Sequence, residues 1–298
     1  MKKIGIGEFL LEKDAHAIVP AFLCALLPVF GFRIGSPIAA IILGLVTLQK
    51  GAKSGAWVLA WVALPAIALL VLRDVGLFDI FLLRCILIWA LAVLLHRYCN
   101  WNLLIEGIVY IGVLLVFLLH FTVHGIQHWW IVHLTSTAKK LTTDLGWKMV
   151  ISPTEFAKTL APVAAGLIAL VFMGTVLLEL LVARFWQSTL NSSVEFVKEF
   201  SQIRVSYRMA LFLCLVLALT FLKLNGAAVE ALPLALLPFL MAGLSLTHYW
   251  ARKRREWLRL TMLILMYVGM ILLSGVVVPI LFLIALIDMW CNFRKVKN

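Results

Sequence analysis

Residues 184–204 read RFWQSTLNSSVEFVKEFSQIR, and this polar stretch interrupts a chain that is otherwise apolar almost throughout. It directly follows the apolar run 161–183 and ends shortly before the next apolar run begins at residue 208. Arg184 and Trp186 therefore stand where a spanning helix would meet the lipid headgroups, a position in which Trp is enriched. The stretch predicts the end of one spanning helix and a connection to the next.

A short amphipathic helix is predicted within 184–207. Ser192 and Glu195 have the spacing of a capping box, which favours a helix start. Apolar residues then recur at helical spacing, namely Phe196, Phe200 and Ile203. Such a helix would lie in the plane of the membrane interface. The alternative is a solvated connector that happens to be helical.

Composition indicates an integral membrane protein with many spans. Of the 298 residues 64% are hydrophobic and 13% are charged, whereas a soluble domain is about half apolar and about a quarter charged. The net charge of +12 comes from basic residues that lie between apolar runs, where the positive-inside rule expects them. The lipid bilayer is therefore the expected partner, and nucleic acid is not. The five cysteines lie in or beside apolar runs without metal-site spacing, which predicts free thiols.

The predicted fold is all-α, a polytopic transmembrane helical bundle of about 8–10 spans with interfacial amphipathic helices, forming a single domain over 1–298. A span needs roughly 20 apolar residues. The ten candidate segments are 15–32, 36–49, 55–72, 77–95, 102–120, 160–183, 208–223, 229–248, 257–273 and 275–291. Segment 36–49 is short for a span, so it either crosses the membrane or forms a re-entrant segment. Basic residues stand at both ends of 257–291, which favours two helices joined by a tight turn.

Charge also predicts the orientation. Most of the 26 basic residues fall in loops that lie on one side if both termini are cytoplasmic, as the positive-inside rule requires. No cleavable signal peptide is expected. This orientation places 184–207 on the cytoplasmic face and the other polar stretch, 121–159, outside. One or two interfacial helices are predicted within 121–159.

Arg84 is the first candidate ligand-binding residue because it falls inside an apolar segment. A charge at that depth costs several kcal/mol unless it is paired or wet. It is either a cation that faces a ligand, or one half of a structural pair, for which Glu230 is the favoured partner, or a side chain that snorkels to the outer headgroups. Three further acidic residues lie near span ends and are expected to form structural pairs, namely Glu106, Glu179 and Asp288.

Four histidines lie close together in sequence, at His120, His124, His128 and His133. Imidazoles at helical spacing can bind zinc or copper. Gly125 interrupts the run and no carboxylate or cysteine accompanies it, so interfacial histidines are the commoner explanation and no metal or cofactor is predicted. No nucleotide-binding or hydrolase motif is present, and the protein is not expected to be an enzyme.

Small residues recur at intervals of four along the first segment, at Ala17, Ala21 and Ala25. Such a face lets helix backbones approach closely. It serves either packing within the chain or docking to another membrane subunit.

Two stretches carry a resemblance to a known family. The first is Arg184 to Gln187, followed by Phe196, Glu199-Phe200 and Ile203-Arg204. The second comprises residues 239–248, the segment Trp257–Arg259 and residues 286–294. Together they resemble the YybS-like family of uncharacterised bacterial polytopic membrane proteins. A more remote similarity links such proteins to the substrate-binding subunits of energy-coupling-factor transporters, which meet their coupling partner through an Ala-x-x-x-Ala face.

The resemblance implies a multi-pass protein of the bacterial cytoplasmic (inner) membrane. The residues that it shares with the family are expected to anchor helix ends or to form a polar cluster on the inner face. These are Arg184, Trp186, Gln187, Glu199, Arg204 and His248. Of these, Gln187 and His248 join Arg84 and Glu230 as ligand candidates, and the others join the alanine face as interface candidates.

The leading functional hypothesis is a transport-related subunit that binds a small or lipid-like molecule and associates with other membrane subunits. The alternative is a non-catalytic scaffold or assembly protein that acts through the cytoplasmic surfaces 184–204 and 251–259. A membrane enzyme that acts on lipid comes third, because the sequence shows no polar cluster at one membrane depth.

Overall fold

The chain is helical almost throughout, because a segment in hydrocarbon must satisfy its backbone polar groups internally. The computed structural model describes residues 5–32, 34–73, 77–123, 125–144, 146, 150–192, 194–222 and 226–294. Over these residues it contains thirteen α-helices, one short 3-10 helix and no β-strand. The predicted all-α class is confirmed.

The helices follow one another through short connections. Their bounds are α1 Ile6–Glu12, α2 Asp14–Leu26, the 3-10 helix Leu27–Phe30, α3 Gly35–Lys50, α4 Ala52–Arg73, α5 Leu77–Tyr98, α6 Trp101–Thr122, α7 Ile126–Asp144, α8 Pro153–Leu190, α9 Phe196–Phe200, α10 Tyr207–Phe221, α11 Gly226–Arg252, α12 Glu256–Leu272 and α13 Ser274–Cys291. Each of the ten predicted apolar segments overlaps one of these helices. The last apolar run is divided into α12 and α13 at Leu273.

Among the described residues, five helices are long and apolar enough to cross a membrane. They are α5, counted from Ile80, and α6, α8, α11 and α13. Four other apolar helices are shorter, namely α2, α3, α10 and residues Ala52–Ile67 of α4. A helix of about 16 residues is about 24 Å long, whereas the hydrocarbon core is about 30 Å thick. The chain is a membrane protein, and the predicted range of eight to ten spans includes the shorter helices.

The helices fall into two compact units. The first unit comprises Met1–Leu104 and Gly174–Phe200. In this unit α2 packs on α3 and α4, and α5 packs on the same two helices. Its core is formed by small and branched apolar side chains, which allows close approach between helices.

The alanine face of α2 is occupied within the first unit. Ala17, Ala21 and Ala25 have no solvent exposure and belong to one core cluster with residues of α3, α4 and α5. Close approach continues at Gly35, where a Cβ would overlap the carbonyl of Cys24. Packing within the chain therefore accounts for this face, and it offers no exposed surface for docking another subunit.

The second unit comprises Ile105–Met173 and Ser201–Asn298, and α11 is its central helix. This helix packs on α10, α12 and α13. In its most apolar 18-residue stretch 72% is buried, compared with 17% in the corresponding stretch of α13. Gly243 lies against the backbone of Leu281, so that a Cβ at residue 243 would overlap that backbone. The low burial of α13 leaves most of its apolar surface to the membrane.

The polar stretch that follows the apolar run 161–183 differs from its prediction. Helix α8 does not end at Arg184 but continues for nearly two turns to Leu190. The expected amphipathic helix is reduced to the five residues of α9, and its first turn begins at Glu195 rather than Ser192. Ile203 and Val205, which follow α9, are buried, so the end of this stretch is packed into protein.

The other polar stretch, 121–159, forms one long helix, α7, and the start of α8. The start of α8 contains a capping box that the sequence interpretation missed. Ser152 Oγ accepts from the Glu155 amide at 3.2 Å, and Glu155 Oε2 accepts from the Ser152 amide at 3.2 Å. Pro153 at the first helical position is the accompanying sequence signal.

Candidate functional site

A groove lies where α11 turns into α12. It has a volume of about 640 Å³ and is lined by Trp250, Lys253, Arg254, Leu258 and Met262. Ligand pockets in proteins have volumes of about 300–1,000 Å³. The groove therefore has the size of a small-molecule site, and we call these five residues the basic groove.

The local chain geometry explains why the cations of the basic groove lie beside apolar side chains. Helix α11 ends in two tight turns, with the Lys253 amide donating to the Trp250 carbonyl at 3.2 Å and the Arg254 amide donating to the Ala251 carbonyl at 3.0 Å. Extended backbone at Arg255 then starts α12. Two successive cations are thereby held next to the first turns of α12, which contribute Leu258 and Met262.

The electrostatics of the basic groove favour an anion. Residues 252–255 are four consecutive cations, and all four are exposed. The acidic residue that follows them in the sequence is Glu256, and it is paired with Arg259, whose Nη2 lies 3.6 Å from Glu256 Oε1. The Lys253 ammonium lies 4.4 Å from the centroid of the Tyr249 ring, a cation–π contact that limits its freedom. A ligand with an anionic head and an apolar body matches this lining.

A buried polar network in the first unit joins three of the residues that the sequence singled out. Arg184 donates from Nε and Nη2 to the two oxygens of Glu199, at 3.0 and 2.6 Å, and from Nη1 to Gln187 Oε1 at 2.7 Å. Gln187 then donates to the Leu48 carbonyl at 3.0 Å. Glu199 also accepts from Trp101 Nε1 at 3.2 Å. These side chains are occupied with one another, so they serve the fold.

Arg204 was expected to join Gln187 and Glu199, but it belongs to a different cluster. In the second unit its Nε lies 3.3 Å from Asp288 Oδ2, and Arg294 Nε lies 3.3 Å from the same oxygen. Asp288 is 2% exposed. Arg294 also donates to the Ser201 carbonyl at 2.7 Å and to Ser245 Oγ at 3.0 Å. Burial lowers the pKa of the Arg294 guanidinium, and the Asp288 carboxylate opposes that shift.

The favoured pairing of Arg84 with Glu230 is replaced by two other pairs. In the first unit Arg84 Nη1 lies 3.2 Å from Glu179 Oε1 and 3.4 Å from Ser36 Oγ. In the second unit Glu230 Oε2 lies 3.4 Å from His120 Nδ1. The sequence identified the charges that need a partner, but it did not identify which helices bring the partners to them.

His248 is bonded within its own helix and to α12 rather than to another described histidine. His248 Nδ1 donates to the Leu244 carbonyl at 2.9 Å, and Nε2 lies 3.4 Å from the Tyr267 hydroxyl. No group of three metal-ligating side chains occurs in the part of the chain that the structure describes. His124, which belonged to the predicted histidine run, lies outside the described residues.

The sequence interpretation treated 251–259 as a protein-binding surface and missed its apolar neighbours. Trp250, Leu258 and Met262 are ordinary residues of an apolar helix, and Leu258 and Met262 stand four residues apart on one face. This spacing, next to a run of cations, was the sequence signal that could have indicated the apolar lining of the groove.

Comparison of the chain with protein-family models, with curated proteins and with solved structures finds no match. The resemblance to the YybS-like family therefore stays a prediction.

Proposed function

We propose that this membrane protein binds an anionic, lipid-like molecule in the basic groove and works as a transport-related subunit. The observation that carries the binding step is the joint lining of the groove by Lys253 and Arg254 with Trp250, Leu258 and Met262. Cations at the end of a spanning helix attract anionic headgroups. The three apolar side chains suit an acyl chain or a similar body.

The transport part of the proposal rests on the predicted remote similarity to substrate-binding subunits, although Ala17, Ala21 and Ala25, which match their coupling face, are buried within this chain. The cytoplasmic location of the groove follows from the positive-inside rule, since residues 252–255 are the densest basic run in the chain. The proposed location is the bacterial cytoplasmic membrane with both termini inside. In this arrangement the groove would meet the inner leaflet.

Binding is tested with the purified protein in nanodiscs of phosphatidylglycerol and phosphatidylcholine. Native mass spectrometry after partial delipidation measures which lipid each protein retains. Lys253→Gln with Arg254→Gln removes both groove cations. Since a basic residue near an anionic surface contributes about 1 kcal/mol, the double variant should lower the retention of phosphatidylglycerol by about 30-fold.

The matched control is Arg252→Gln with Arg255→Gln. These two residues are equally exposed neighbours in the same turn, but they do not line the groove. The net charge changes by the same amount. Equal losses in the two double variants would show that binding is diffuse attraction to the basic turn, and the groove proposal would then fail.

The scaffold alternative is supported by the exposure of residues 252–255 alone. The second surface predicted for a scaffold, 184–204, has less support, because Arg184 and Gln187 are buried and bonded to neighbours. The two functions are separated by gentle-detergent purification of the tagged protein at native abundance. Recovery of an ATPase with a coupling membrane subunit supports transport. Recovery of another assembly, lost on Arg252→Glu and Arg255→Glu, supports the scaffold.

A further inference from the structure

Glu230 is an acidic side chain sealed inside the second unit. It lies in the second turn of α11 and has no solvent exposure. Neither of its carboxylate oxygens has a hydrogen-bond partner among the described residues. Nδ1 of His120, 3.4 Å from Oε2, is likewise without a hydrogen bond there.

The packing of α8 explains how this carboxyl is enclosed. Gly166 lies directly on the Glu230 backbone, and a Cβ at residue 166 would overlap the Glu230 carbonyl. Ala227, Ala228 and Ala231, which surround Glu230 on α11, are all buried. Small residues at this crossing let two helix backbones close over one acidic side chain.

Such a carboxyl must be neutralised. Burying a charge without a partner costs several kcal/mol, and a buried group avoids that cost by taking up a proton or by pairing. Glu230 and His120 are too few to hold a metal ion, which takes four or more ligands. A proton needs only the two atoms that face each other here, Glu230 Oε2 and His120 Nδ1.

The other titratable groups of the helices around Glu230 are placed elsewhere along them. On α6, Glu106 and Tyr110 lie more than two turns before His120. On α8, Lys158 and Glu155 lie two and three turns before Gly166. Gln127 of α7, whose amide comes closest to Gly226, is neutral.

The helices that pack on α11 also carry their titratable groups away from Glu230. Tyr207 and Arg208 start α10, whose other end leads to α11. Tyr267 of α12 faces His248, which is eighteen residues beyond Glu230. On α13, Asp288 is held by Arg204 and Arg294. Among the described residues His120 is therefore the titratable group that faces Glu230.

We propose that Glu230 and His120 form a proton-binding site, which protons enter and leave through the His120 ring. The His120 ring is 22% exposed. On loading, an arriving proton bonds to Nε2 while the proton already on Nδ1 passes to Oε2: the Nδ1–H bond breaks, the O–H bond forms, and the ring ends as the neutral Nε2–H tautomer. On unloading, the O–H bond breaks, its electron pair stays on the carboxylate, and the proton leaves through the imidazole. The bound state differs from the empty state by one proton and no other atom.

The test is infrared difference spectroscopy of the full-length protein in nanodiscs as pH is varied. The wild type should show the carbonyl-stretch band of a protonated carboxylic acid, and this band should grow as the pH falls. Glu230→Gln, which keeps the shape of the side chain, should lose the band. Glu155→Gln is the control, since Glu155 is exposed at the start of the same helix that covers Glu230.

The role of His120 in proton entry is tested by a separate measurement, the rate of exchange with heavy water. In His120→Gln the band should persist, but its shift on transfer to heavy water should be slower than in the wild type. Lys223 stands seven residues before Glu230 in the sequence and lies outside the described residues. Lys223→Gln should leave both the band and the rate of its heavy-water shift unchanged.

Three results would overturn the proposal. They are a band that survives in Glu230→Gln, a wild type with no such band at any pH at which it is folded, and a heavy-water shift that is slowed by Lys223→Gln instead of His120→Gln. Nitrogen-15 spectra of the His120 ring can be recorded in the wild type, without any substitution at Glu230. A spectrum of this ring that does not change with pH would also refute the site.

Discussion

Arg184 meets Glu199 in a two-point contact, with Nη2 2.6 Å from Oε1 and Nε 3.0 Å from Oε2. Fifteen residues separate the two, so this contact fastens the chain after α8 back onto that helix. A planar guanidinium and a carboxylate match each other in this geometry, and neutral or monodentate substitutes do not. The contact explains how α8 can continue through Arg184, a charged residue that directly follows the apolar run.

Arg184→Gln should therefore lower the free energy of unfolding by about 3 kcal/mol, the low end of the range for breaking a buried pair. The low end applies because Glu199 is 24% exposed. Arg184→Lys should recover only part of this loss, since a lysine cannot form both bonds. Unfolding in mixed detergent micelles measures the change. Glu195→Gln is the control, because Glu195 is 63% exposed and should shift stability by less than about 0.5 kcal/mol.

The Arg84–Glu179 pair predicts a strong asymmetry between single and double substitutions. Arg84→Gln leaves a 7% exposed carboxylate without its cation, which should cost about 3–5 kcal/mol. Changing Glu179 to Gln in the same protein removes the stranded charge, so the double variant should be more stable than Arg84→Gln alone. A double variant whose loss equals the sum of the two single losses would show that the pair does not interact.

Sequence reasoning located the helices well because the membrane imposes a simple rule. Apolar runs interrupted by charges mark helices, since unpaired backbone groups are too costly in hydrocarbon. The prediction failed at Arg184, where the helix continues although the charge should have ended it. That outcome depends on Glu199 being brought back to the helix, and such a tertiary contact leaves no periodic signal.

The same limit applies to the candidate sites. Burial of Arg84, Glu179, Glu230 and Asp288 was visible as charge within or beside apolar runs. The choice of partner was not visible, because it depends on which helices cross and at what height. Trp250 and Met262 became candidates only when the turn after α11 brought them beside Lys253 and Arg254.

Asp288 should be far more sensitive to substitution than Arg204. Asp288→Asn leaves Arg204 and Arg294 facing each other with no anion between them, and should cost about 3–5 kcal/mol. Arg204→Gln leaves the Asp288–Arg294 pair in place and should cost about 1 kcal/mol, the worth of an ordinary hydrogen-bonded contact. Unfolding in mixed micelles again provides the measurement. Equal losses for the two variants would mean that the arginines do not share the carboxylate.

Two glycines of α8 provide the last prediction, because they differ only in what lies over them. Gly166→Ala would press a methyl group into the Glu230 carbonyl, so it should destabilise the protein by about 1–3 kcal/mol as α8 and α11 move apart. Gly174→Ala meets no atom within 4 Å and should stabilise the helix by up to about 1 kcal/mol. Thermal unfolding of the two variants in one detergent should therefore shift in opposite directions. A Gly166→Ala variant as stable as Gly174→Ala would show that the α8–α11 crossing is looser than this packing requires, and the enclosure of Glu230 would lose its basis.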